Sequence, residues 1–408
     1  MTAYPAPSRT LLVILIGLSG LGEISTQLLV PSLGAIERSF AAQPGAIILA
    51  LSAFVGAFGL GQLVLGPLSD RVGRRPVLIG GLLLYVLATL WMLLASGMGE
   101  FIAARVLQGL GACAALVLAR AIVRDVWRER AGPALALTVI GMLCAIVVAP
   151  LLGGLAANHG GGWRAAIGVS LLLGVAALLA ALFLYRESNH SPDPRAGQLG
   201  SLGRHYADLL KGRGYRTLAL TLACTYGAMF CFIAGSPAVF VGLLGQTPTQ
   251  YGLTLGGIVS GLIVGALFTQ RMIARLGPER LVAIGSGLVG AGALATLVIH
   301  ELVGLSIAGL FVPQLLVTLG GGMVLPASVA GAVIPNAHRA GLAAGFMGFA
   351  QMAGATVAGL VLSPLQDGTA LPMLALHSVF AALALAAFHL LRPRPEPLAA
   401  APLLDKAE

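Results

Sequence analysis

Glu23 and Arg105 each stand inside a long apolar stretch, where an ionisable group is costly to keep and is a functional candidate for that reason. Glu23 lies about 12 residues into its stretch, which at about 1.5 Å per residue places it roughly 18 Å from the start. Arg105 lies about five residues into a stretch that runs the opposite way, so the two sit at similar depths in a core about 30 Å thick. A carboxylate and a guanidinium at one level predict a proton-coupling pair facing across a polar cavity. Desolvation disfavours the charged carboxylate and a neighbouring cation favours it, so rearranging the pair between two conformations switches whether a proton is held. The plainer alternatives are a fixed ion pair between two helices, or a Glu23 that faces outside water.

Neutral groups that suit a binding cavity accompany this pair. Gln27 is one helical turn from Glu23 on the same face, and Gln108, Gln314 and Gln351 add hydrogen-bonding amides. Tyr226, Met229 and Phe230 supply adaptable apolar wall. Pro150 with Gly153 and Gly154 marks a bend or a tight seam between helices. No chemistry of an enzyme is visible: there is no Walker A segment, no His-Glu-x-x-His and no metal-ligand spacing among the seven histidines. Cys113, Cys144, Cys224 and Cys231 lie in apolar stretches without a Cys-x-x-Cys spacing and read as packing residues. No cofactor or metal is expected, so any transport must draw on a proton gradient or on the substrate's own gradient.

The elements that hold these residues are membrane helices. Of 408 residues 58% are hydrophobic, with mean hydropathy +0.94, more than a soluble core can hide. The apolar runs continue for about 20 residues without alternation, which excludes an outer-membrane barrel. Twelve candidate spans follow: 11–33, 47–65, 77–95, 101–123, 133–156, 165–185, 218–241, 251–272, 281–299, 303–327, 342–362 and 372–391. In the tenth, Gly320-Gly321-Gly322 and Pro326 are expected to weaken or kink the helix. The net charge of +9 is a topology signal and not a nucleic-acid surface, because the arginines cluster in short loops. Apart from Arg38 and Arg164 in opposite loops and Arg105 inside a span, all 24 Lys and Arg residues are assigned to one side. That side is read as the cytoplasm, with both termini on it and the protein in a bacterial-type inner membrane.

The longest connection, 186–216, divides the chain into a six-helix half at 1–185 and a second at 217–391, followed by a tail at 392–408. The linker is solvated, with a short amphipathic helix expected at His205 to Leu210. Arg71-Val72-Gly73 is echoed by Arg275-Leu276-Gly277, and Arg130-Ala131-Gly132 by Arg339-Ala340-Gly341, each at the matching place of its half. A six-plus-six repeat is the plan of transporters that rock two halves about a central site, here expected to work as a monomer.

Gly66-Pro67-Leu68-Ser69-Asp70-Arg71-Val72-Gly73-Arg74-Arg75-Pro76 resembles the loop 2–3 signature of the major facilitator superfamily. Arg105-Val106-Leu107-Gln108-Gly109-Leu110-Gly111-Ala112 is similar to its fourth-span signature, and Ala149-Pro150 through Gly154 to its fifth-span antiporter signature, with alanines at 145 and 149 where that pattern has glycine. Ser25-Thr26, Pro31 and Ser236-Pro237 add a resemblance to the twelve-span drug:proton antiporters, in particular the bicyclomycin and chloramphenicol exporters. That group carries aspartate after Ser-Thr, where this chain has Gln27; either Glu23 takes over its role or proton coupling is altered or absent. The resemblance implies an all-α major facilitator fold and alternating access, with small apolar compounds such as antibiotics leaving as protons enter. It also implies a gate in which Asp70, Arg71, Gly73, Arg74 and Arg75 latch the cytoplasmic side, Asp70 meeting a helix dipole of the other half. A facilitator or proton symporter for a small metabolite on the same fold is the alternative.

Overall fold

The computed structural model describes residues 7–159, 161–189 and 199–391, and within these it is helical with no strand. In chain order the helices are α1 (Arg9–Gln27), α2 (Leu33–Ser39), α3 (Ala46–Val72), α4 (Arg74–Leu94), α5 (Met98–Trp127), α6 (Ala131–His159) and α7 (Trp163–Phe183). They are followed by α8 (Leu199–Lys211), α9 (Arg213–Pro237), α10 (Pro248–Val303), α11 (Ile307–Val333), α12 (Ala340–Leu365) and α13 (Leu371–Leu391). Among the described residues ten apolar helical stretches are long enough to cross a bilayer, and two of them, Met98–His159 and Pro248–Val303, are double. The first divides at the turn Arg128–Arg130 and the second at Gly277, so twelve spans result.

The ends of these helices follow from local chemistry. Ser8 accepts from the Leu11 N–H at the start of α1, and Thr247 and Gln250 form a reciprocal capping box at the start of α10. The two tripeptide echoes mark the same turn. Gly73 has φ 110° and ψ 153°, Gly277 has φ 75° and ψ 161°, and this backbone region is open to glycine and strained for other residues. Each ends one span and starts the next without a loop.

Three expectations about the elements need correction. The first span stops at Gln27 and resumes as a short 3₁₀ turn at Val30–Ser32 and α2, since Pro31 lacks the N–H to continue the helix. The glycine run of the tenth span does not break α11, which runs unbroken through Pro313 and Pro326. Instead the carbonyls of Gly285 and Leu262 on α10 approach Gly320 and Gly322, so the run is a close seam between helices. The amphipathic helix of the linker is longer than expected and occupies the whole of α8. The Ser191-Pro192-Asp193-Pro194 part of the linker and the 392–408 tail lie outside the described residues.

α1 and α3–α7 pack on one another, as do α9–α13. The two bundles meet along two seams, α3 against α12 and α6 against α10. One end of the molecule carries the Gly73 and Gly277 turns and α8, and is called here the linker side. The opposite end is tied shut. Ser363 Oγ donates to the Gly45 carbonyl at 2.9 Å, and Asn158 Nδ2 donates to Thr249 Oγ1 at 2.6 Å. On α10, Gly252 and Gly256 touch the carbonyls of Pro150 and Val147 on α6, all in the halves of those helices remote from the linker.

Candidate functional site

Where the bundles face each other, two narrow lobes lie side by side and share Glu23, Gln27, Tyr226 and Ile233. α1 presents Glu23 and Gln27 from its last two turns, and α9 presents Tyr226, Met229 and Phe230 from the opposite bundle. The first lobe adds Met229, Leu255, Ile258 and Gln314, and the second Phe54, Phe58, Phe230 and Met352. The walls are apolar, aromatic and sulfur-bearing, with a few polar groups among them, which is the usual chemistry of a small-molecule site. Of the polar groups, Thr318 is already committed, donating to the Ile258 carbonyl at 2.6 Å. Gln27 Oε1 is buried and has no partner among the described residues.

Glu23 is half-buried in both lobes. It does not meet Arg105. Its cationic neighbour is Arg120, an exposed side chain on α5 within electrostatic reach of Glu23 but not in a direct ion pair with it. Tyr226 is the other neighbour and also lies beside Gln351 on α12. Gln351 does not line either lobe; its side chain meets that of Tyr226. Arg120 was grouped with the loop arginines on sequence grounds, yet it sits seven residues before the end of α5, about 10 Å along the helix. Its place three residues inside the expected span 101–123 is the signal that identifies it.

Arg105 belongs to a network inside the first bundle. Its Nη1 donates to Gln108 Oε1 at 2.6 Å and reaches the Ser25 carbonyl at 3.5 Å, while its guanidinium lies 4.0 Å from the Phe54 ring centroid. A desolvated cation–π contact of this kind contributes about 2 kcal/mol. Gln108 Nε2 in turn donates to Thr89 Oγ1 at 2.8 Å, so Gln108 is fully buried behind the cavity and is not part of its wall. Beside them Tyr85 links Ser25 Oγ at 2.5 Å with Ser170 Oγ at 2.6 Å, tying α1, α4 and α7 together. Arg105 therefore positions the end of α1, and with it the backbone on which Gln27 is carried.

The charged turn on the linker side is self-contained. Arg74 is buried and pairs with Asp70 at 2.5 Å and Asp125 at 2.9 Å, and donates to Ser69 Oγ at 2.6 Å. The backbone N–H groups of Arg74 and Arg75 donate to the Glu187 carboxylate at 3.0 and 2.9 Å, and Arg75 Nη2 donates to the Leu182 carbonyl at 2.9 Å. Arg71 stays exposed. Asp70 thus sits in the last turn of α3 and caps no helix; the cap of α4 is Glu187, delivered from beyond α7. Nor does Asp70 reach the second bundle: its partner is Arg74 of its own bundle, in a conformation closed at the opposite end.

The small residues singled out by sequence lie at close approaches. A Cβ on Gly109 would strike the Phe54 carbonyl, on Gly153 the Leu28 carbonyl, and on Gly154 the Pro248 carbonyl. Gly109 serves the α3–α5 contact within one bundle. Gly153 receives the turn after α1, while Gly154 and Pro150 form the α6–α10 seam between bundles.

Comparison with known proteins agrees with this architecture. The family model described as Major Facilitator Superfamily matches residues 12–359. The chain is 28% identical to the uncharacterized MFS-type transporter YdgK of Bacillus subtilis, over 93% of this chain and 95% of that protein. It is 32% identical to the chloramphenicol resistance protein of Pseudomonas aeruginosa, over 69% of this chain and 66% of the relative. A solved structure of the nucleoside transporter NupG aligns with TM-score 0.72 over 93% of this chain and 98% of that one, at 13% identity, which is a likeness of fold.

Proposed function

The chain belongs to the Major Facilitator Superfamily, and on that premise we propose that it exports small, largely apolar compounds, antibiotics among them, in exchange for protons. The observation that carries this reading is a carboxylate, Glu23, set in an apolar cavity between the two bundles. An apolar cavity rich in Met and aromatic side chains adapts to compounds of different shape. Glu23 serves as the proton carrier, because a carboxyl group can hold or release a proton and a substrate entering beside it competes with that proton. Arg120 lies within electrostatic reach of Glu23, and a change in their separation during the transport cycle would couple the proton to the movement of the bundles. The relative named for chloramphenicol resistance supports a drug cargo.

The linker side is taken as cytoplasmic from its excess of arginine and lysine. The end tied by Ser363 and Asn158 is then the outer one. Rocking the bundles would open the α6–α10 seam at Gly154 and bring the Asp70 turn toward the second bundle. The reading is tested by a toxicity panel in a host stripped of its own exporters. Wild-type protein should raise tolerance to at least one antibiotic, and Glu23→Gln, present in the membrane at equal amount, should not. Equal protection by both would remove Glu23 from the mechanism; protection by neither would remove the drug cargo.

A further inference from the structure

The second bundle carries a polar cluster that repeats the Gln–Thr pair of one in the first but with a different third member. In the first bundle Gln108 Nε2 donates to Thr89, 19 residues away, and in the second Gln314 Nε2 donates to Thr296, 18 residues away, at 3.3 Å. The third member differs. Gln108 turns its oxygen to Arg105, which can only donate, whereas Gln314 faces His377 on α13.

The hydrogens can be assigned throughout. His377 is fully buried, and its Nδ1 lies 2.8 Å from the Ala228 carbonyl, which only accepts, so Nδ1 carries the proton. In the neutral ring Nε2 is then an acceptor, and its partner at 3.1 Å, Gln314 Nε2, donates. Thr296 spends its own hydroxyl hydrogen on the Gly292 carbonyl at 2.8 Å, so it accepts the second Gln314 hydrogen. Both amide hydrogens of Gln314 are used, no bond among the described residues reaches its Oε1, and that oxygen is left for the cavity that Gln314 lines. Gln27 Oε1, buried and unpartnered, lines the same cavity.

We propose that His377 is a positioning residue that holds the Gln314 amide with its carbonyl oxygen toward the central cavity, so that this wall selects substrates bearing a hydrogen-bond donor such as an amide N–H or a hydroxyl. The substrate consequence rests on the cavity being the drug site; the orientation of the amide does not.

Two measurements separate these. Protein labelled with ¹⁵N-histidine in lipid bilayers, compared with His377→Phe to identify the signal, should show His377 protonated on Nδ1 and bare on Nε2 at neutral pH. Gln314→Leu should move the Nε2 resonance. An Nε2–H tautomer or an imidazolium overturns the proposal. In binding by equilibrium dialysis, chloramphenicol should be preferred over its di-O-acetyl derivative by about 3- to 10-fold, the worth of one net hydrogen bond. His377→Phe should abolish the preference and His377→Gln, whose amide oxygen can accept the same N–H, should restore it. A preference that survives in His377→Phe overturns the selection. If neither compound binds wild type, the drug reading fails and the nitrogen spectrum alone decides the role of His377.

Discussion

Gly154→Ala tests the closed end of the molecule. A Cβ at this position would strike the Pro248 carbonyl and come within 2.9 Å of Thr249 Cα, and both are backbone atoms that cannot rotate away. Overpacking of such a site costs about 1–3 kcal/mol. The clash exists only while α6 and α10 are in contact, so the cost falls on the closed conformation and not on the open one. The balance between the two should therefore shift toward the open end by about 5- to 150-fold. Spin labels on cysteines introduced at the exposed Leu155 and Leu253 of an otherwise cysteine-free protein report the separation of the two helix ends directly. Wild type should give a dominant short distance, and the variant a second, longer population. Gly168→Ala on α7, where nothing lies within 4 Å of the added Cβ, is the matched control and should leave the distribution unchanged. An unchanged distribution in Gly154→Ala, with the protein folded, would refute the assignment of this seam as the moving contact.

Other perturbations separate the parts of the site. Glu187→Ala frees the N–H groups of Arg74 and Arg75 and should lower stability by about 0.5–2 kcal/mol, read as a reduced midpoint of thermal unfolding in detergent. Tyr85→Phe removes the hydroxyl that bridges Ser25 and Ser170, leaving only their longer direct contact at 3.4 Å, and should cost about 1–3 kcal/mol in the same assay with drug tolerance retained. Arg120→Gln removes the cation near Glu23 and should slow proton-driven export with substrate binding preserved, read as a lower initial rate of export with an unchanged dissociation constant.

The spans, the tight Gly73 turn and the polar face of α1 were legible because each is a local property: a run of apolar residues, a glycine between charges, a spacing of four. What escaped depends on azimuth. Glu23 and Arg105 share a depth, but Arg105 leaves α5 toward Phe54 and the Ser25 carbonyl, a direction that distance along a helix does not encode. Gln108 misled for the same reason, its amide being consumed by Thr89 and Arg105. Arg120 was overlooked because Arg124 follows one turn later and the two read together as a loop cluster. Glu187 and Asp125, which hold the Gly73 turn, come from more than 50 residues away in sequence, and no local pattern announces them. The glycine run of α11 was read as weakness because its close partners on α10 are tertiary.

The central claim is that Glu23 exchanges a proton for cargo in the cavity between the bundles. The most direct measurement uses protein reconstituted in liposomes with a pH dye in the lumen and no imposed gradient, challenged with a compound to which the wild type confers tolerance. Wild type should change the lumenal pH on addition of the compound, and Glu23→Gln should bind the compound and leave the pH still. A pH change of equal size in the variant would contradict the account.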